Sequence, residues 1–160
     1  MLKIFSRKEN PALDHDAALA RMAARGVEVG AIIDVGAAKG AWTDKARRHW
    51  SGAHAHLLEA KESWRADLTA FQGRQKSTTF EIAGVTKEPG VIYFPKAGDA
   101  YGGAVFHDPG DRDDLEAIAA TSIDHEVARL GLKGPFAIKL DTHGTEVDIL
   151  DGAARTLSDT

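Results

Sequence analysis

The stretch AIIDVGAAKG, residues 31–40, joins a short apolar run to a glycine-rich turn. Ile32, Ile33 and Val35 predict a buried strand, Asp34 leads into the turn, and the residues beyond it take helical spacing. Strand, tight loop and helix N-terminus in that order form the unit with which α/β proteins hold a small ligand at a strand's carboxyl end. Gly36 and Gly40 lack a Cβ, so they accept unusual backbone angles and let main chain approach a ligand. The N–H groups that start the next helix are unpaired and partly positive, which suits a carboxylate or phosphate.

Outward from this unit, strands and helices alternate. Residues 1–12 read as a flexible lead-in ending at Pro11. Asp14 or Asp16 caps a helix over 17–25, and Gly26 stops it. After the central strand comes a helix from Trp42 to about Trp50, then a second buried strand over 55–60. A helix over 62–71 turns Trp64, Leu68 and Phe71 inward, and a third strand spans 78–85. This rhythm predicts βαβ units with right-handed crossovers and a parallel sheet. Lys87-Glu88-Pro89-Gly90 is a turn sequence leading to a β-like run over 91–94. Residues 99–114, rich in glycine and aspartate, read as a long loop. Residues 117–122 suit a strand or a helical turn, and 124–130 a short helix stopped by Gly131. A fourth parallel strand follows at 136–140, and an amphipathic helix at 146–157. Without repeats, low-complexity segments or linkers, residues 1–160 read as a single domain.

Composition narrows the function classes. The chain has 160 residues, 43% of them hydrophobic, enough for a real core. A net charge of -4 argues against a general nucleic-acid binder, whose phosphate contacts need a basic face. The one basic cluster, Lys45, Arg47 and Arg48, reads as a solvated helix face. Absence of cysteine excludes disulfides and thiolate metal sites. The opening MLKIFSRK is too short and charged for a signal peptide, and no apolar run approaches membrane-spanning length. No membrane insertion and a cytoplasmic location are therefore expected. His54 and His56 share a strand face and His107 precedes Asp108, but no third ligand joins them. The histidines read as scattered surface residues, and no metal is expected.

Glu59 ends the second strand. An acid there can accept hydrogen bonds from both ribose hydroxyls of a nucleoside cofactor bound over the first loop. A dinucleotide site would carry G-x-G-x-x-G, whereas Ala38 occupies the second glycine position here. The pattern D-x-G-x-x-x-G, from Asp34 to Gly40, suits S-adenosylmethionine, whose methionine carboxylate and amine replace the phosphates. Asp34 then orients the loop or reaches the cofactor through water; alternatively it only ties down its own turn. Lys139 reads as a partner for a neighbouring carboxylate rather than as a base.

Three blocks together resemble the FkbM-type methyltransferases, a branch of the Rossmann-like S-adenosylmethionine-dependent enzymes: IIDVGAAKGAWT at 32–43, AGV at 83–85, and FAIKLDTHGTEVDILDGAARTL at 136–157. In the last block Lys139, Asp141, Gly144, Glu146 and Gly152-Ala153 fall at the spacing of that family's K-x-D-x-x-G-x-E…G-A signature. Thr121-Ser122-Ile123-Asp124 is similar to the family's lead into the helix before this strand. The resemblance implies a class I methyltransferase fold with strand order 3-2-1-4. It places Asp34, Gly36, Ala37, Lys39, Gly40, Glu59, Ala83 and Gly84 around S-adenosylmethionine, and Asp141 and His143 beside the acceptor. His143 stands where many relatives carry glutamate or glutamine. The implied activity is O-methylation of a hydroxyl on a saccharide, glycolipid or natural product, with a small molecule or saccharide as partner. Relatives continue beyond the position of Thr160 into further strands. The fold is therefore expected to be partial, with self-association through the open edge of the fourth strand. Two rival readings are a NAD-type oxidoreductase, which Ala38 disfavours, and a non-catalytic cofactor-binding or interaction module.

Overall fold

The structure, a computed structural model, describes residues 14–96 and 105–158. The chain forms an α/β fold whose centre is a four-stranded parallel sheet of β1 (Ala31–Val35), β2 (His54–Glu59), β3 (Thr78–Ile82) and β7 (Phe136–Leu140). Their order is β3-β2-β1-β7, the expected 3-2-1-4 arrangement once β7 is counted as the fourth parallel strand. This is the arrangement of a Rossmann-like fold. Residues Ala31 to Val35 are all buried, as a strand paired on both edges and covered on both faces requires. Side chains alternate between two cores. Ile32, Ala55 and Leu57 join Leu19, Ala46, Leu68 and Phe71 on one face; Ile33, Val35 and Leu58 join Ile123, Phe136 and Ile149 on the other.

The first core lies under α1 (His15–Ala24), α2 (Ala41–Arg47) and α3 (Arg65–Arg74), the last entered through a 3₁₀ turn over Glu62–Trp64. Asp14 caps α1 by accepting the Asp16 N–H at 3.1 Å. α2 ends at Arg47, short of the expected Trp50. The Trp50 indole donates to Val27 O at 2.8 Å, and Arg47 is buried, donating to Ser51 O, Ser77 O and Thr78 Oγ1. Arg47 thus ties α2 to β3 instead of belonging to a solvated basic face.

The second core lies under α4 (Ile123–Leu130), α5 (Glu146–Asp151) and α6 (Ala154–Leu157). α5 and α6 replace one continuous helix over 146–157. They part at Gly152, where an added Cβ would collide with Thr86 O, so the close approach of two chain segments interrupts the helix. Asp124 then caps α6 by accepting from Thr156 N at 2.8 Å and Arg155 N at 3.0 Å.

The expected third strand over 78–85 divides. Ala83 N–H still donates to Glu59 O at 2.8 Å, but Gly84–Val85 (β4) joins a second sheet with β5 (Gly90–Pro95) and β6 (Leu115–Thr121). The order is β4-β6-β5, with β4 parallel and β5 antiparallel to β6. Of the long loop expected over 99–114, residues 99–104 lie outside the described residues; the remainder is irregular except for a bridge between Tyr93 and Phe106.

Candidate functional site

The parallel strands β1, β2 and β7 direct their carboxyl ends to the same side of the sheet. Because β2 lies on one side of β1 and β7 on the other, the strand order reverses there, opening the crevice where α/β sheets bind ligands. A cavity of about 380 Å³ occupies this place. Gly36, Ala37, Ala38 and Lys39 from the β1 loop line it, with Glu59 at the end of β2, Ala83 and Gly84 after β3, and Asp141 and His143 after β7. Eight of the ten residues singled out in the sequence therefore meet in one cavity. Asp34 and Gly40 stand behind the loop and shape it.

The loop is built by three residues in the left-handed region: Gly36 at φ 71°, Ala38 at φ 47° and Gly40 at φ 79°. At Gly36 an added Cβ would run into Asp141 O, so this glycine lets the ends of β1 and β7 close together. At Gly40 it would meet the Phe71 ring at 2.8 Å. Ala38 carries its Cβ in a conformation that costs an L-residue roughly 1–2 kcal/mol. Its N–H donates to Glu59 Oε2 at 2.8 Å, which fixes it there. Glu59 Oε1 accepts the Lys61 N–H at 3.0 Å. The buried carboxylate is thus oriented from two directions, and each oxygen retains acceptor capacity for a ligand.

Asp34 is fully buried and accepts from Thr43 Oγ1 at 2.7 Å. Burial pushes its carboxyl above the ordinary aspartate range, against the opposing pull of Lys139 and Thr43. Lys139, directly across the β1–β7 register, places Nζ 3.0 Å from Asp34 Oδ1, 2.8 Å from Gly36 O and 3.4 Å from Asp141 Oδ2. One ammonium therefore joins the buried acid, the glycine loop and the exposed carboxylate. Beyond Asp141, Glu146 accepts from Thr142 Oγ1 and Gly144 N, both at 3.0 Å, and so shapes the turn carrying His143. Its own main-chain N–H and Thr142 hold the Glu146 carboxyl below the usual range.

The cavity also contains residues that were not singled out in the sequence. Trp42 and Trp64 line it from α2 and the 3₁₀ turn, His15 from α1, and Ile92, Phe94 and Val105 from β5 and the segment bridged to it. Trp64, expected only in the core, also lines the cavity. Ile92 and Phe94 stand two apart, which puts both on one strand face. That alternation was visible in the sequence, but nothing there said that β5 would return to the carboxyl ends of the first sheet.

His56 corrects the reading of the histidines as surface residues. It is fully buried, with Nδ1 2.9 Å from Thr79 Oγ1 and Nε2 3.2 Å from Glu126 Oε2. His54 shares Thr79, and His107 pairs with Asp148 at 3.0 Å. Among the described residues no group of three histidine, aspartate or glutamate side chains could hold a metal ion, and no helix is long and apolar enough to cross a membrane.

No protein-family model matches the chain, and no curated protein matches it significantly.

Proposed function

We propose that this protein is an S-adenosylmethionine-dependent methyltransferase of FkbM type that acts on a hydroxyl group. The observation that carries this reading is Glu59, held by two main-chain N–H groups at the wall of the cavity formed by the glycine loop and Asp141. Three features fit an adenosine-bearing cofactor. The Glu59 carboxylate retains lone pairs suited to a pair of ribose hydroxyls. The cavity falls in the range of about 300–1,000 Å³ typical of small-molecule sites. Lys39 supplies the positive charge that a methionine carboxylate requires.

A bound dinucleotide fits less well. The Ala38 N–H, which a pyrophosphate would need, is already committed to Glu59, and the adjacent carboxylate would repel phosphate oxygens.

S-adenosylmethionine supplies an electrophilic methyl group on a sulfonium whose departure needs little assistance from protein. The chain's contribution is alignment, exclusion of water and management of one proton. Asp141 is exposed at the end of β7, where its carboxylate can accept the proton of an acceptor hydroxyl. Lys139 positions that carboxylate and, through Gly36 O, the loop beside it.

Parallel calorimetric titrations with S-adenosylhomocysteine and NAD test the reading. Saturable binding of the first without the second is expected. Binding of NAD alone would replace the proposal with an oxidoreductase, and binding of neither would remove it.

A further inference from the structure

Resting on that reading, a second part of the cavity wall bears on the acceptor. The glycine loop, Glu59 and the Ala83-Gly84 pair account for the cofactor. Two further parts of the wall are the turn after β7, with Asp141, Thr142, His143 and Thr145, and the apolar group Ile92, Phe94 and Val105.

These three apolar side chains form a built surface. Ile92 is buried against Gly84, where an added Cβ would occupy the place of the Ile92 side chain. Phe94 lies on the same face of β5, two residues on. Val105 is brought alongside by the Tyr93–Phe106 bridge, whose reciprocal N–H···O bonds measure 2.9 and 3.0 Å. The Arg112 guanidinium lies over the Phe106 ring, 4.5 Å from its centroid. None of the three has a side-chain donor or acceptor, so hydroxyls pressed against them would lose water without gaining a partner. At the turn after β7, by contrast, Asp141 and His143 are exposed polar groups within the same cavity.

We infer that the β5 wall selects the acceptor, and that the acceptor is a hydroxyl carried on an apolar body, such as a phenol, rather than a free polyhydroxylated sugar. The hydroxyl meets the Asp141–His143 turn and the apolar body covers Phe94 and Val105. Phe94 is then a specificity-determining residue with no part in holding the cofactor.

Calorimetry on the chain saturated with S-adenosylhomocysteine tests this directly, using 2-naphthol and methyl α-glucoside as probes. Naphthol is expected to bind at least about tenfold more tightly than the glucoside, and Phe94→Ala to weaken naphthol by about tenfold or more. Phe94→Leu should restore most of that loss, and both variants should keep S-adenosylhomocysteine affinity within about twofold. Equal or tighter glucoside binding, or naphthol binding indifferent to Phe94→Ala, would overturn the inference while leaving the cofactor reading intact. Failure of S-adenosylhomocysteine to bind the unaltered chain would overturn both.

Discussion

Lys139 Nζ lies 3.0 Å from Asp34 Oδ1 across the β1–β7 register, joining a fully buried carboxylate to the one strand that carries the turn to Asp141. Asp34 sits at a position where burial opposes its charge, so its partner matters more than a surface partner would. Lys139→Met should leave that charge uncompensated and cost about 3–5 kcal/mol in urea denaturation. Adding Asp34→Asn to Lys139→Met should recover part of the loss, because the uncompensated charge is then gone. A double variant no more stable than Lys139→Met alone would show that the pair is not the source of the effect.

The loop geometry gives a prediction of opposite sign. Ala38→Gly removes a Cβ from a residue at φ 47°, and the relief outweighs the added freedom of the unfolded chain. The melting temperature should stay level or rise, with a gain of about 1 kcal/mol at most. Gly36→Ala should do the reverse, since its Cβ must displace Asp141 O. A variant at Gly36 that melts normally would mean that β1 and β7 need not close as described.

Away from the site, Glu126 links the two sheets. It accepts from Thr121 Oγ1 at 2.7 Å and from Arg129, faces His56 Nε2 at 3.2 Å, and Arg129 reaches on to Glu81 at 3.6 Å. Burial pushes its carboxyl up, but the bonds from His56, Arg129 and Thr121 prevail and hold it at about 2, below its ordinary 4.5. A folded value below the unfolded one means stability that is fully present above about 4.5 and lost as pH falls through about 2. Denaturation midpoints measured between those values should therefore fall steadily, and Glu126→Gln should flatten the slope. An equally steep slope in the variant would assign the acid sensitivity elsewhere.

Much of this architecture is readable from residue patterns. The four parallel strands follow from short apolar runs punctuated by Gly36, Glu59 and Asp141, because a strand covered on both faces leaves a continuous apolar signature, whereas their order is only what the family resemblance implies. The second sheet is not readable in this way. Residues 78–85 look like one strand, and the departure at Ala83 depends on Ile92 filling the space above Gly84, a contact between residues distant in the chain. The burial of His56 and Arg47 is not readable either, for a related reason. Their types favour the surface, and only the tertiary partners Glu126, Thr79, Ser77 and Thr78 make their burial affordable.

At the turn after β7, the two candidate groups should differ in effect. Asp141→Asn is expected to cut methyl transfer to a suitable acceptor by about 10²-fold, the usual scale for a positioned base, while S-adenosylhomocysteine affinity changes less. His143→Gln should be milder, because an amide there keeps a hydrogen-bonding group beside the acceptor. Near-normal turnover in Asp141→Asn with none in His143→Gln would exchange their roles.

The central claim is that Glu59 holds the ribose of an adenosine cofactor, and the affinity of Glu59→Ala for S-adenosylhomocysteine tests it most directly. The substitution removes a charged acceptor and releases the Ala38 N–H, so binding measured by calorimetry should weaken by about 2–4 kcal/mol. Circular dichroism should show the fold retained. Glu59→Gln, which keeps one acceptor oxygen, should fall between that variant and the unaltered chain. A folded Glu59→Ala chain that binds S-adenosylhomocysteine as tightly as the unaltered one would contradict the account.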